Sequence, residues 1–565
     1  MNVTKYGLVG DGKTPNSEAL SVLLNDLPDG STLVFPEGTY YFPTCVEIRG
    51  KKKLTIVGED ATLMTHFGPC GDPKENNNLF HFSECEDVTV RDFVVTTDNP
   101  IGWAGVVTAV NPEKLYYDVR IYDQFPVTGY EHPVALNSCD ADGTPDYVYN
   151  DGVWRETAEV DEDGKGKVRY AGFDYEVIGD HLVRFKASSA EKLAKLPVGE
   201  QMCYRFIVYG NTHFSFANTH RVLMKNMDVY RASSMAIVIS PRCSDFTLDH
   251  FNVKPQPGSR ELYVANADAV HVLGLCGYLR MKHCEFVGLG DDALNIHGTA
   301  GEITGILPDG RLEMQHRHRK GFSPLQGNWA IAGDVIEVYD SATFLRKGTL
   351  TVGEFRDGVA TVTATTGEYA VGDTLANTAY FAATHISDCT VRNTRARGFL
   401  LQTHNVLVEH SYVYGMSLPA IIVSPDIKWW YEVGPSENVV IRNNVFEKCA
   451  IIPSGANLGA IVVKGSHDVG AADYPAGVHR NMHILNNRFT NIGNSGIYVS
   501  ATEGLEIRGN RFEGCCRRRY SPTAYGVRHD IVTLNCNDVT VQENVTTQKE
   551  KNLYWAKNCK RVTRD

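Results

Sequence analysis

One short motif recurs along this chain and limits what it can fold into. A polar residue is followed by alternating apolar positions and then by Asn, Asp, Glu or a short polar turn. Examples are Asp87-Val-Thr-Val-Arg-Asp-Phe93, Arg221-Val-Leu-Met-Lys-Asn-Met227 and Asp245-Phe-Thr-Leu-Asp-His-Phe251. It returns in Asn438-Val-Val-Ile-Arg-Asn443, Asn481-Met-His-Ile-Leu-Asn486 and Asp538-Val-Thr-Val-Gln-Glu543. Roughly ten residues later a second apolar strand often follows, as in Ala236-Ile-Val-Ile239, Ala420-Ile-Ile-Val423 and Gly496-Ile-Tyr-Val499. Short strands with polar corners, recurring every 20–25 residues or so, are the signature of a parallel β-solenoid. The expected fold is therefore all-β, a right-handed parallel β-helix. The Asn443-Asn444 and Asn486-Asn487 pairs suit its left-handed corners and side-chain ladders. A repeat also explains how 565 residues can avoid dividing into the several globular domains that length alone would suggest.

The rhythm predicts five segments. Residues 1–103 hold an N-terminal cap, with a helix near Ser17–Leu27 covering the open end, and the first coils. From 104 to 205 the corners vanish and Asp-Gly pairs appear (Asp142-Gly143, Asp151-Gly152, Asp163-Gly164). Coils resume over 206–298. A second interruption over 299–380 carries Asp309-Gly310 and Asp357-Gly358, and coils fill 381–565. Strands joined by Asp-Gly turns read as small antiparallel barrels or sandwiches, here two insertions thrown out from the solenoid.

A formal net charge of −12 argues against a nucleic-acid partner, which normally meets a basic face. No apolar run approaches a membrane span. The opening Met1-Asn2-Val3-Thr4-Lys5-Tyr6-Gly7 has no basic and apolar leader, and most of the 14 cysteines sit singly in apolar runs. The expectation is a cytoplasmic protein with reduced thiols. A phosphate-cradling loop and a Gly-x-Ser-x-Gly elbow are both missing, and His316-Arg-His318 lacks a third metal ligand at suitable spacing. No cofactor or metal is expected. Exposed insertions leave a homodimer open.

The chemistry concentrates in two segments, Asn266-Ala-Asp268-Ala-Val-His271-Val272 and Gly290-Asp291-Asp292-Ala-Leu-Asn295-Ile-His297-Gly298. Asp268 and Asp292 align 24 residues apart, which is one coil. Stacked coils lie about 4.8 Å apart, so the two should be neighbours on adjacent rungs. Asp291, one residue off, should stand apart from the pair. An inverting glycosidase needs such an arrangement, with an acid on the leaving oxygen and a base on a water across the sugar, the carboxyl groups about 6.5–9.5 Å apart. Asp291 is assigned as general acid and Asp268 with Asp292 as the water-activating pair. The competing readings are corner residues of a ladder or a calcium site.

These residues resemble glycoside hydrolase family 110, the inverting α-1,3-galactosidases, and more distantly the polygalacturonases. The closer match also rests on the insertion directly after His297-Gly298, with Gly333-Asp334-Val-Ile-Glu337, on Arg395-Ala-Arg397-Gly-Phe-Leu-Leu-Gln402, and on Trp429-Trp430-Tyr-Glu432. The opening Tyr6-Gly7 through Phe35-Pro36-Glu37-Gly38-Thr39-Tyr40 resembles the start of many carbohydrate-active β-helix proteins. The Gly-His-Gly and Arg-x-Lys that follow the paired acids of polygalacturonases do not follow Asp291-Asp292 here. The resemblance implies cofactor-free, exo-acting hydrolysis of terminal α-1,3-linked galactose, as on blood-group-B-like glycans. Candidate substrate contacts are Asn266, His271, Asn295, His297, Glu337, Arg395, Arg397, Gln402, Trp429, Trp430 and Glu432. Arg395 and Arg397 are read as alternating on one strand face, and the tryptophans as a stacking platform or as packing. A uronic-acid hydrolase, a polysaccharide lyase and a non-catalytic glycan-binding solenoid are the rivals.

Overall fold

The computed structural model describes residues 1–66, 78–150, 156–160, 166–170, 172–318, 321–325, 329–427, 430–452, 454–455, 457–466, 474–517 and 528–565. The polar-cornered segments form the rungs of a parallel β-helix. One wall, here the groove wall, runs from Val46–Arg49 through Phe214–Ala217, Ile237–Ile239, Val270–Leu273, Leu294–Thr299, Phe399–Leu401 and Ile421–Val423 to Tyr554–Lys557. The other ladders are built from pairings such as Val222 on Phe246 and Phe446 on Phe489, all parallel. The helix Ser17–Asn25 buries Leu20, Leu23 and Leu24 against the first coils, and so caps the end as expected.

The corners carry the strain that the motif anticipates. Asp87, Arg221, Asp245, Asn438, Asn481 and Asp538, the opening residues of the repeats, all have φ between 53° and 62°. Asn443 and Asn486 adopt the same left-handed conformation. Asn and Asp tolerate this region better than other non-glycine residues, because their short side chains bond locally. The residue after each such Asn turns inward. The backbone N–H of Asn444 donates to Asn487 Oδ1 (3.0 Å), and that of Asn487 to Asn510 Oδ1 (2.9 Å). The next rung repeats the bond, Asn510 to Asn544 Oδ1 (3.0 Å). Each amide nitrogen also reaches a carbonyl, for instance Asn487 Nδ2 to Ile441 O at 2.8 Å. Phe446, Phe489 and Phe512 stack beside this ladder with centroids 5.2 and 4.9 Å apart.

Both interruptions are antiparallel sheets. The first contains Gly102–Asn111, Tyr116–Ile121, Ala135–Cys139, Tyr175–Gly179, Leu182–Lys186 and Gln201–Arg205 around a core of Trp103, Tyr117, Phe185 and Tyr204. The pairs Asp151-Gly152 and Asp163-Gly164 lie outside the described residues. The second closes on itself as a small barrel from Gly301–Ile306 to Thr374–Asn377. Its Asp357-Gly358 turn has φ of 50° and 79°, the positive pair a tight hairpin needs. In each insertion the first and last strands are partners, Gly102 opposite Arg205 and Gly301 opposite Leu375. The solenoid register continues across both gaps, with Phe80 on Phe214, Val88 on Val222 and Leu294 on Phe399. No described helix is long and apolar enough to cross a membrane, and the thirteen described cysteines are free thiols.

The buried ladder should outweigh its exposed counterpart. Asn481 Nδ2 donates to Asn438 Oδ1 on the surface (2.7 Å), whereas Asn487 is fully enclosed. Asn487→Ala strands the buried Asn444 N–H and Ile441 carbonyl, at about 1–3 kcal/mol for each group. Asn481→Ala should cost less than about 1 kcal/mol. Denaturant midpoints of the two variants test the difference, and equal midpoints would count against the ladder as a stabilising element.

Candidate active site

Asp268 and Asp292 lie on adjacent rungs, as the 24-residue offset predicts. Ala265 bridges Leu289 and Val270 pairs with Leu294, so the register holds across the two acids. Asp268 Oδ1 accepts the backbone N–H of Asp292 at 3.0 Å. Asp291 does not stand apart. One oxygen from each of Asp268, Asp291 and Asp292 lies within 4.8 Å of the others, so the expected separation is corrected to a single cluster. Two guanidiniums draw Asp291 back, Arg395 Nη2 at 3.3 Å and Arg397 Nη2 at 3.9 Å.

Neither arginine lies on a strand face as expected. Both occupy the turn before Phe399–Leu401, and from there reach the acids of the preceding rung. Arg397 donates to Asp292 Oδ1 twice, through its backbone N–H (3.0 Å) and Nε (2.8 Å). Arg395 Nε donates to the Gly290 carbonyl, and its Nη1 to the Tyr147 hydroxyl (3.3 Å). Gly290 has no room for a side chain, because a Cβ there would meet the Asn266 carbonyl at 2.4 Å and Arg205 Nη1 at 2.7 Å.

A second polar chain runs beside the acids. Asp268 Oδ2 pairs with His271 Nδ1 at 2.8 Å, and His271 Nε2 faces His297 Nε2 at 3.4 Å. His297 Nε2 is 3.4 Å from Glu432 Oε1. Glu432 also accepts from Gln402 Nε2 (2.7 Å) and Asn295 Nδ2 (3.3 Å). It is carried by a short strand that pairs antiparallel with the end of Leu294–Thr299.

Together these side chains line one cavity of about 720 Å³ that holds Asp268, His271, Asp291, Asp292, Asn295, His297, Arg395, Arg397, Gln402, Trp430 and Glu432. Trp430 is 57% exposed, on a segment where its N–H donates to Asp426 Oδ1 (3.3 Å). Trp429 lies outside the described residues. Two candidates are elsewhere. Asn266 is buried behind the acids, its Nδ2 on the Ile101 carbonyl (3.2 Å), because its place in the turn aims it at the first insertion. Glu337 is held in the barrel by Arg346 Nη1 (2.6 Å) and the Tyr339 hydroxyl, so it braces the barrel and is no part of the cavity. Sequence reasoning missed Tyr147, His316 and Tyr431. Tyr147 arrives from the first insertion with no local motif to mark it, whereas His316, from the barrel, is weighed in the sequence only as a metal ligand and Tyr431 sits unremarked between Trp430 and Glu432.

Burial pushes the Asp292 carboxyl up to about 8, against the pull of Arg397 and with the charges of Asp291 and Asp268 adding to the rise. Burial raises Asp268 as well, although its bond to His271 opposes this. For His271, burial pulls downward but the bond to Asp268 and the charges of Asp268, Glu432 and Asp292 prevail, leaving it above its ordinary value. His297 is lowered by burial despite Glu432. Burial raises Glu432, but His297, His271, Gln402 and Arg397 outweigh it and hold the carboxyl below the usual range. Asp268 and Asp292, both raised and on adjacent rungs, share protons rather than hold them independently. The trio could in principle ligate a hard cation, but Arg395 and Arg397 already supply positive charge there.

The chain is similar to several known proteins. Residues 1–67 match the family model described as rhamnogalacturonase A/epimerase, pectate lyase-like. Alpha-1,3-galactosidase A of Shewanella woodyi is 24% identical over 562 residues, covering 90% of this chain and 85% of that protein. The chain is a homologue of alpha-1,3-galactosidases. Alpha-1,3-galactosidase B of Bacteroides thetaiotaomicron is 21% identical over 548 residues, with 91% and 85% covered. Among solved structures, the Agl-KA catalytic domain aligns with a TM-score of 0.48 at 12% identity, covering 100% of this chain and 68% of that one.

The His271 pairing makes a direct prediction. Asp268→Asn removes the strongest influence raising the imidazole, so His271 should titrate at a lower pH than in the parent protein. Imidazole ¹⁵N NMR reads this. An unchanged titration would assign the effect to Glu432 and Asp292 instead.

Proposed function

We propose that this chain is an exo-acting, inverting glycoside hydrolase that removes terminal α-1,3-linked galactose from oligosaccharides or glycoconjugates. The observation that carries the reading is the carboxylate trio. Three carboxylates share one cavity, and burial raises two of them, Asp268 and Asp292, so the cluster can keep a proton near neutral pH beside two guanidiniums. Galactose comes from the names of the homologues.

In this mechanism the trio's proton passes to the glycosidic oxygen as the bond from that oxygen to the anomeric carbon breaks. A water forms the new bond to the same carbon and gives its proton to a carboxylate, so the trio is protonated again at the end. Asp291, with 18% of its side chain exposed against 8% for Asp268 and 1% for Asp292, is the member placed to meet the leaving oxygen. Asp268 and Asp292 orient the water, and Glu432, through His297 and His271, steadies Asp268. Inversion rests on the family resemblance and on this paired base. The tight spacing of the trio favours a second reading, retention through a covalent intermediate, for which carboxyl groups about 5–5.5 Å apart are usual.

Proton NMR of the nascent sugar separates the two. An α-linked substrate should first release the β-anomer, and an initial α-anomer would mean retention. Asp291→Asn should keep far more activity on an activated aryl galactoside than on a disaccharide, whereas Asp268→Asn and Asp292→Asn should lose both. If Asp292→Asn shows the leaving-group rescue, Asp292 is the acid.

The pH dependence has a definite sign. The trio must hold one proton to hand to the leaving oxygen through Asp291, and its most buried member, Asp292, is pushed up to about 8, so kcat/KM should hold through neutral pH and fall as pH rises through that region. Treatment with a chelator should leave the rate unchanged. Loss restored by calcium would favour a lyase, whose unsaturated product absorbs in the ultraviolet.

A further inference from the structure

Behind the catalytic turn lies a second, much smaller cavity of about 10 Å³, bounded by Ile101, Trp103, Cys203, Arg205, Tyr263 and Asn266. Its size suits one small occupant. Arg205, the last residue of the first insertion's closing strand, is 1% exposed. Its Nη1 donates to the Asn266 carbonyl at 2.8 Å, and its Nε and Nη2 are buried with no hydrogen-bond partner. The Tyr263 hydroxyl is buried and unpartnered too, with its ring 5.8 Å from the guanidinium. Among the described residues no carboxylate pairs with Arg205. Glu261, which also borders the cavity, is engaged by Arg231 at 2.5 Å.

A buried guanidinium without a counter-charge is strongly unfavourable. Its surroundings deepen the imbalance. Arg395 lies close enough to weaken its charged form, and Arg395 and Arg397 are committed to Asp291 and Asp292. Arg205 therefore has no carboxylate of its own, because the acids on the other side of the turn are already shared between two other guanidiniums.

We propose that the Arg205 cavity binds a monovalent halide-sized anion, chloride in ordinary solution, which supplies the missing negative charge behind the catalytic turn. The proposal rests on the hydrolase reading only for its link to catalysis. Anion and catalytic proton are then thermodynamically coupled, each favouring the other's binding. The unpartnered Asn266 Oδ1 at the same cavity would suit a water instead, and the experiment separates the two.

The full chain is dialysed into gluconate, and its melting temperature is followed as bromide or chloride replaces gluconate at constant ionic strength. The site predicts a saturable rise, absent in Arg205→Met and weakened in Tyr263→Phe. Crystals soaked in bromide should show one anomalous peak in contact with Arg205 Nε and Nη2. No peak and no saturable rise would mean a water occupies the cavity and would overturn the proposal. Neither measurement needs substrate, so their failure is distinct from failure of the hydrolase reading. In the rate assay, halide should move the alkaline limb of kcat/KM upward by about half a pH unit. A bound halide with an unmoved limb would overturn the coupling to the catalytic proton.

Discussion

The parallel hydrogen-bond register between coils is the constraint on which everything else depends. Because side chains alternate along each strand, a slip of one residue would turn the core outward and the acids inward. The inward Asn444, Asn487, Asn510 and Asn544 prevent this with a bond that each rung can make only to the same position on the next. The same register sets Asp268 over Asp292. The site is therefore a property of the stacking as much as of the residues within it.

Electrostatics then turns a ladder position into a reactive one. Buried carboxylates on adjacent rungs repel each other, and burial alone favours their protonated forms. Arg395 and Arg397, one rung further on, oppose that rise with positive charge held against Asp291 and Asp292. Glu432 does the same for the imidazoles from the other side, held below its usual range by His297 and His271. Each sign of charge is anchored on a different rung or segment, which makes the balance depend on the coils staying in place.

What the sequence made legible follows from period. The corner asparagines, the Asp268–Asp292 pairing and the Asp357-Gly358 hairpin all repeat or obey a local turn rule, so their places could be read directly. Asp291 was misplaced because register fixes a Cβ position, whereas the side chain's direction was settled by arginines more than a hundred residues away in sequence. Glu337 looked available because an acid in an insertion carries no label for its partner, Arg346. Arg205 and Tyr147 were invisible for the same reason in reverse. They come from the first insertion, whose path back to the catalytic turn no spacing in the chain announces.

The paired ends of the two insertions bear on how such a chain can assemble. A rung gains its partner only when the next coil arrives, and between Leu294 and Phe399 that coil is delayed by the whole barrel. If the intervening residues were slack, closing the gap would draw on chain entropy, although each doubling of a loop adds only about 0.6 kcal/mol. With Gly301 opposite Leu375, a barrel formed early turns the long detour into a short tether, and Gly102 opposite Arg205 does so for the first insertion. Assembly of the solenoid can then pass each insertion as though it were a tight turn, with the catalytic rungs as the junction where two cooperative units meet.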